Sequence, residues 1–254
     1  MKKYLKFGLI SLLTFLFISD ASATATREEM LKMFPSYVID SWTPEEYAKY
    51  SECDYNKITK KEILIPNTDY APNGIAPFSG YIETNYKKIS LMAMDMKNDD
   101  FTVNITARWK AMPATRSFDV IAIRLYDVVM YNGSQYGKQY YTLSNGNQGT
   151  VHYSYQGTNM VLKDNGYGIS MNLVDDDINA LELFTTVDVK VVGTDPRIYG
   201  SYQHSVDNVS LATSQNYELN NVGMGHVISF YASSNDHYDN TQGLDINPND
   251  YRTY

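Results

Sequence analysis

The alternation of hydrophobic and polar side chains along residues 101–111 is the clearest pattern in the sequence. Apolar residues occupy every second position, and Thr, Asn, Arg or Lys stands between them. Because successive side chains of a β-strand point to opposite faces, this pattern predicts a strand with one buried face and one polar face. Residues 118–130 are mostly apolar at both parities, which is typical of a central strand.

Further strand-like segments follow at short intervals and are separated by turn-forming residues, including Asn-Gly at 132–133 and at 145–146. Roughly ten strands, with almost no helix after Ser51, predict a mainly β fold: an antiparallel β-sandwich or jelly roll, with a closed barrel as the alternative. The remaining predicted strands are 90–96, 139–144, 150–155, 160–163, 168–174, 181–192, 198–206 and 226–232.

Two short helices are predicted near the N-terminus. Thr26 and Glu29 have the spacing of a capping box, and Thr43, Pro44 and Glu46 place an N-cap, a first-turn proline and an N3 carboxylate in register. Helices of this length are not stable alone in water. We therefore expect both to pack against the sheet.

The first residues have the pattern of a cleavable export signal. Lys2, Lys3 and Lys6 precede an apolar run over 7–18, which is followed by the small-residue site Ala21-Ser22-Ala23. The prolines and glycines of 66–80 indicate a linker. The predicted divisions are a signal peptide at 1–23, a short helical segment at 24–61, a β-sandwich at 62–233 and an acidic, Asn-rich tail at 234–254.

Composition and charge narrow the class of protein. The chain of 254 residues is 43% hydrophobic and 20% charged, which is typical of a globular protein, and its formal charge is −8. An acidic chain without a basic cluster argues against nucleic acids and anionic membranes as partners. Abundant Lys, Asn and Tyr indicate a bacterium with an AT-rich genome. The sequence thus predicts a bacterial protein that is secreted to the extracellular space, without a stable membrane anchor.

No catalytic residue is assigned from sequence motifs. The pattern GxSxG is absent, and the four histidines show no pair at the i, i+4 spacing of zinc peptidases. Cys53 is the only cysteine and lies between Glu52 and Asp54, whose charges would raise the pKa of the thiol. We therefore interpret Cys53 as structural, and the sequence favours a protein that is not an enzyme.

Carboxylates in apolar surroundings keep one enzymatic alternative open. Asp119 and Asp127 are an even number of residues apart, so an unbroken strand would direct both to one face, and Glu182 lies in another predicted strand. Glycoside hydrolysis uses two carboxyl groups across a cleft. A structural ion pair is the competing interpretation.

The C-terminal residues raise the question of a metal. Asp245, Asn247, Asn249 and Asp250 offer oxygen ligands at short spacing, as calcium loops do, but they depart from the EF-hand pattern. Calcium is the single cofactor that the sequence suggests, and no metal-binding residue is assigned.

Tyrosines supply the candidate binding site. Tyr153 and Tyr155 share one strand face, and Tyr140 lies on the predicted hairpin partner. Aromatic faces flanked by amide groups suit sugar binding, although tyrosine is also an ordinary strand former. The predicted ligand-binding residues are Tyr140, Tyr153, Tyr155, Tyr199, Tyr202 and Gln203.

Three hypotheses on function follow. The first is a non-catalytic secreted β-sandwich protein that binds an extracellular surface or polysaccharide. The second is a secreted hydrolase of glycans or peptidoglycan that uses paired carboxylates. The third is a self-associating protein that forms a matrix or a pore through pairing of strands between chains.

Overall fold

The structure is a computed structural model that describes residues 24–66, 85–220, 227–239 and 243–251. The predicted export signal at 1–23 lies outside the described residues, as does nearly all of the predicted linker at 66–80. The helices are α1 Arg27–Leu31, α2 Ser36–Asp40, α3 Pro44–Ser51, α4 Leu211–Ser214 and α5 Ala232–Asn235.

Antiparallel strands make up most of the described chain. They are β1 Asp54–Pro66, β2 Asn85–Asp95, β3 Asp100–Trp109, β4 Phe118–Tyr126, β5 Val128–Met130, β6 Tyr136–Leu143, β7 Gln148–Ser154, β8 Met160–Leu162, β9 Gly166–Asn172, β10 Ile178–Val191, β11 Arg197–Gln203, β12 Tyr217–Leu219, β13 Ile228–Phe230 and β14 Leu244–Ile246.

Two sheets form the sandwich that the sequence predicts. The large sheet has the order β1-β2-β3-β10-β6-β7, with β5 also paired to β10, and the small sheet has the order β14-β11-β4-β9-β8. The alternating residues of β3 behave as predicted: Val103, Ile105 and Ala107 are buried between the sheets. The polar residues between them face the outer side of the large sheet. The antiparallel β-sandwich is thereby confirmed.

The N-terminal helices cover part of that outer face. The capping boxes of Thr26 with Glu29 and of Thr43 with Glu46 are both present, as predicted. Phe34 and Tyr50 of the helical segment pack with Met94 of β2 in a second hydrophobic cluster. The sequence did not predict α2, a single turn that follows Pro35.

Two boundaries differ from the prediction. The predicted helical segment at 24–61 contains the first half of β1, which begins at Asp54. In the predicted tail at 234–254, β14 pairs with β11 and buries Leu244 and Ile246 in the core. No helix in the described ranges is both long and apolar enough to cross a membrane.

The predicted strand at 118–130 is divided by a sharp bend at Asp127, whose φ is 52°. The chain passes there from β4 in the small sheet to β5 in the large sheet. The backbone N–H groups of Val192 and Gly193 both donate to the carbonyl oxygen of Asp127, at 3.0 and 3.1 Å. The carboxyl group of Asp127 leaves no space for a side chain at Gly193.

Candidate binding groove

A row of polar side chains crosses the outer face of the large sheet. Arg108 of β3 lies directly opposite Lys88 of β2 on one side and Glu182 of β10 on the other, and Glu182 lies opposite Tyr140 of β6. Neighbours across antiparallel strands have Cβ atoms only about 5 Å apart, so these groups act on one another. The alternation in each strand thus places opposite charges side by side on a face that the helices cover only in part.

Two adjoining cavities lie over this row and share Arg108 and Glu182; we call them together the outer groove. The larger cavity, of about 370 Å³, lies between α2 and the strands β6, β7 and β10. The smaller cavity, of about 290 Å³, lies between the chain around Phe34 and the strands β1, β2 and β3. Volumes of this size are at the lower end of the range for small-molecule sites.

The Glu182 carboxylate at the centre of the groove has two side-chain partners. Arg108 Nε lies 2.5 Å from Glu182 Oε2, and the Tyr37 hydroxyl donates to the same oxygen at 2.6 Å. Glu182 is only 4% exposed. Burial, and then the charge of Glu182, raise the pKa of Tyr37 well above its ordinary value, so this hydroxyl keeps its proton at neutral pH. Tyr37 thus fixes α2 to the sheet through the Glu182 carboxylate.

A second charged group forms the far wall of the smaller cavity. Glu62 of β1 lies 2.9 Å from Lys60 Nζ and 2.8 Å from Lys88 Nζ, and it accepts a hydrogen bond from Ser90. Partial burial alone would raise the pKa of Glu62, but the hydrogen bonds and charges of Lys88 and Lys60 outweigh it and lower the pKa to about 2. One carboxylate therefore faces two ammonium groups.

The floor of the smaller cavity contains an unsatisfied amide. Asn104 is 1% exposed, and its Oδ1 accepts a hydrogen bond of 2.9 Å from the Tyr50 hydroxyl. Its Nδ2 has no hydrogen-bond partner among the described residues. A buried donor without a partner costs about 1–3 kcal/mol, so such a group at a cavity wall indicates a place where a ligand or water accepts.

The predicted tyrosine site is not brought together by the fold. Tyr140 lines the larger cavity of the outer groove. Tyr153 lies between the two sheets, where its hydroxyl accepts from Gln139 at 3.2 Å. Tyr155 follows the last residue of β7 and is half-buried. These three residues therefore occupy three different environments.

The other predicted binding residues lie on β11 of the small sheet, far along the chain from Tyr140. Tyr202 is fully buried, and Gln203 is 6% exposed and donates to the carbonyl of Ile228. Tyr199 is half-buried on the outer face of the small sheet, against a hydrophobic cluster that includes Val120 and Tyr217. The fold does not gather the six predicted residues into one surface, because burial in the core gives most of these rings their partners, and their role in ligand binding stays a prediction.

The predicted carboxylate pair is also separated. Asp119 is fully buried and accepts from the Tyr202 hydroxyl and, at 2.9 Å, from the Ser205 backbone N–H. Asp127 lies at the bend that ends β4, so the unbroken strand that the spacing argument requires does not exist. Glu182 is bound by Arg108 in the other sheet. The three carboxyl groups do not share a cleft.

The remaining candidates have structural partners. Asp245 forms an ion pair with Lys61 at 2.5 Å, and Asn247 Oδ1 accepts from the backbone of Asn249. Within the described ranges, no three His, Cys, Asp or Glu side chains cluster closely enough to hold a metal ion. Burial raises the pKa of the Cys53 thiol to about 12, and its hydrogen bond is to the Lys49 carbonyl.

The groove residues that sequence reasoning missed are Tyr37, Lys60, Glu62, Lys88, Asn104 and Arg108. One signal was present, because Asn104 and Arg108 are on the polar face of the clearest strand in the sequence. The sequence predicts only that this face is polar, and the placement of the helices over it creates the cavity.

No family model matches the chain, and no curated protein matches it by sequence. Among solved structures, the KRT10-binding region domain of the pneumococcal serine-rich repeat protein PsrP aligns with a TM-score of 0.31 and 15% identity, over 57% of this chain and 84% of that domain. A DUF4466 family protein from Parabacteroides merdae aligns at 0.26 and 11%, over 71% and 57%.

The enzymatically active domain of tailspike protein 4 from bacteriophage CBA120 aligns with a TM-score of 0.25 and 10% identity. This alignment covers 52% of the present chain and only 18% of the tailspike domain. All three TM-scores are too low to carry an argument about function.

Proposed function

We propose that this protein is a non-catalytic binding module, exported from the cell, that holds a segment of an acidic polysaccharide in the outer groove. The export rests on the basic and apolar pattern of 1–23. The observation that carries the ligand class is the unsatisfied Asn104 amide in a cavity lined by basic side chains.

The charge of the smaller cavity differs from that of the whole protein. Four basic and two acidic side chains line it, which gives a local net charge of +2 in a chain whose formal charge is −8. Concave sites with low-dielectric walls concentrate such a field, which attracts an anionic ligand. A carboxylate of the ligand would accept from Asn104 Nδ2 and approach Lys60 and Lys88.

The larger cavity has the composition of a sugar site. Tyr37, which is half-buried, supplies aromatic surface, and its ring centroid lies 6.1 Å from that of Tyr140, which is 3% exposed. Gln148 and Thr150 supply hydrogen-bonding groups. Aromatic rings beside amide and hydroxyl groups bind the apolar faces and hydroxyls of saccharides. The two cavities together suit a chain of alternating neutral and acidic sugars better than a single small molecule.

The test is retention of the protein, produced from its full coding sequence, on immobilised polymers. We expect saturable binding to hyaluronan, in which neutral and acidic sugars alternate, and to the polyuronate polygalacturonate, with both weakening as salt rises. We expect no comparable binding to amylose, cellulose or chitin. The double variant Lys60→Gln with Lys88→Gln should bind the polyuronate at least tenfold more weakly.

Lys61→Gln is the control, because it also removes a positive charge from β1 but on the opposite face. Lys61 pairs with Asp245 and does not line the groove. The control should bind as the unmodified protein does. Retention on neutral polymers alone, selective binding of an acidic peptide over the polyuronates, or equal losses in the double variant and in the control would overturn the proposal.

A further inference from the structure

A second cluster of charged side chains lies inside the sandwich, away from the outer groove. Lys87 is on the face of β2 that points between the sheets, and it is 0% exposed. Its Nζ contacts the Oδ2 atom of Asp239, in the segment that follows α5. A fully buried amine is thus held in contact with a carboxyl group whose side chain is 15% exposed.

Aromatic rings enclose the amine. Lys87 Nζ lies 5.6 Å from the ring centroid of Trp109 and 5.0 Å from that of Tyr202. Burial lowers the pKa of Lys87, although the charges of Asp239 and Asp119 act against this change. Burial therefore favours the neutral amine, which is the nucleophilic form.

The carboxyl group of Asp239 is oriented by a donor on its other oxygen. The backbone N–H of His204 donates to Asp239 Oδ1 at 2.9 Å. The His204 ring turns the opposite way, with Nδ1 2.9 Å from Asp119 Oδ1. Asp119 is thus a second buried carboxylate next to the pair, held by Tyr202, His204 and Ser205.

We propose that Lys87 and Asp239 react with each other to form an intramolecular amide bond between Nζ and Cγ. The neutral amine attacks Cγ of the protonated carboxyl group, the C–Oδ2 bond breaks, and Oδ2 leaves as water. One amine and one carboxylic acid give one secondary amide and one water, so no oxidant, reductant or further reactant is needed. The ion pair and the amide carry the same total charge of zero.

The surrounding groups fit the steps of this condensation. The His204 N–H stabilises the negative charge that develops on Oδ1 in the tetrahedral intermediate, as a backbone oxyanion donor does. We assign the role of base to Asp119, whose charge acts on Lys87: it would take the proton from the attacking nitrogen and return it to the leaving oxygen. Groups that are held in contact in this way react with effective molarities of about 10⁵–10⁸ M, which favours a condensation that is unfavourable between separate molecules in water.

The bond would supply a covalent brace to a chain whose single cysteine cannot form an intrachain disulfide. It would join β2 of the large sheet to the segment that leads into β14, and would enclose the strands from β3 to β13 in one loop. This inference concerns a different part of the molecule from the outer groove and stands or falls independently of the proposed ligand.

Intact mass under denaturing conditions is the decisive measurement. For protein produced from the full coding sequence, with its N-terminus assigned by peptide sequencing, we expect a mass lower by one water molecule than the sequence requires. Tryptic digestion should give a branched peptide in which the Lys87 and Asp239 segments are joined. Lys87→Ala and Asp239→Ala should each restore the full mass.

Lys138 provides a control within the same chain. It is 1% exposed and lies 2.6 Å from Glu46 Oε2. The backbone donor of that pair, the Thr43 N–H, bonds to the same oxygen as Lys138, whereas the His204 N–H bonds to the Asp239 oxygen that Lys87 does not contact. Trypsin should cleave after Lys138 and not after Lys87. A full mass with linear peptides at both lysines would overturn the proposal, whatever the variants show.

Retention of the full mass by Asp119→Asn would support its role as the base, and a complete cross-link in that variant would remove this role.

Discussion

Helix α3 is joined to the large sheet by a buried ion pair that can be tested by substitution. Lys138 of β6 lies under α3, and its Nζ is 2.6 Å from Glu46 Oε2. The same oxygen accepts from the Thr43 N–H at 2.8 Å, so Glu46 joins the helix cap to the sheet. Lys138→Met keeps the length of the apolar stem and removes only the charged end.

The expected cost follows from what remains around Glu46. Removing one partner of a fully buried ion pair costs about 3–5 kcal/mol. The side chain of Glu46 is 13% exposed and keeps its bond to Thr43, so we expect Lys138→Met to lower the free energy of unfolding by about 2–3 kcal/mol. Lys138→Met combined with Glu46→Gln removes both charges, and we expect this double variant to lose less than about 1 kcal/mol.

Urea denaturation followed by tryptophan fluorescence measures these differences. With a slope of about 2 kcal/mol per molar, Lys138→Met should lower the midpoint by about 1–1.5 M. Lys190→Met is the control, because Lys190 is 43% exposed and its pair with Asp100 is 3.5 Å long. We expect that control within about 0.5 kcal/mol of the unmodified protein. A single variant as stable as the control, or a double variant as unstable as the single one, would refute the reasoning.

Three further predictions follow from single sites. The pKa of Glu62 is lowered to about 2, so its stabilising effect is present above the ordinary pKa of 4.5 and is lost as pH falls through about 2. Carboxyl NMR should show a titration midpoint at about 2, and Lys88→Gln should raise that midpoint. Cys53 has a thiol pKa of about 12 and is 4% exposed, so a thiol reagent at pH 8 should label it only after unfolding, and rapid labelling of folded protein would contradict its burial. Gly193→Ala places a methyl group 2.1 Å from Asp127 Cγ, so we expect a loss of about 1–3 kcal/mol in the same urea assay, and a neutral effect would contradict the close approach.

The sandwich can be predicted from the sequence because each inner strand has to bury one face. β3 must bury one face, and its period of two is therefore plain in the sequence. β1 is different, because it lies at the edge of the large sheet and carries Lys60, Lys61 and Glu62 on both faces. Charged side chains on an edge strand prevent it from pairing with a strand of another chain. Because these charges replace apolar residues, β1 lacks the alternation from which a strand is predicted.

The candidate site was harder to predict because tyrosine serves two purposes. Tyr202 and Tyr153 bury their rings and find partners for their hydroxyls within the fold, which a sequence cannot distinguish from a ring offered to a ligand. The outer groove depends on where α2 crosses the sheet. That placement arises from Tyr37 and Glu182, which are 145 residues apart in the chain.

The outer groove and the proposed cross-link use adjacent residues of β2. Because successive side chains of β2 point to opposite faces, Lys87 enters the sandwich while Lys88 reaches Glu62 in the outer groove. If flow or a moving surface pulled a polymer bound at Lys88, the force would act directly on β2. An amide between Lys87 and Asp239 would pass that load to the C-terminal segment through a covalent bond, whereas an ion pair would yield with the hydrogen bonds of the sheet. The proposed cross-link would thus lie where a binding module under tension has most use for it.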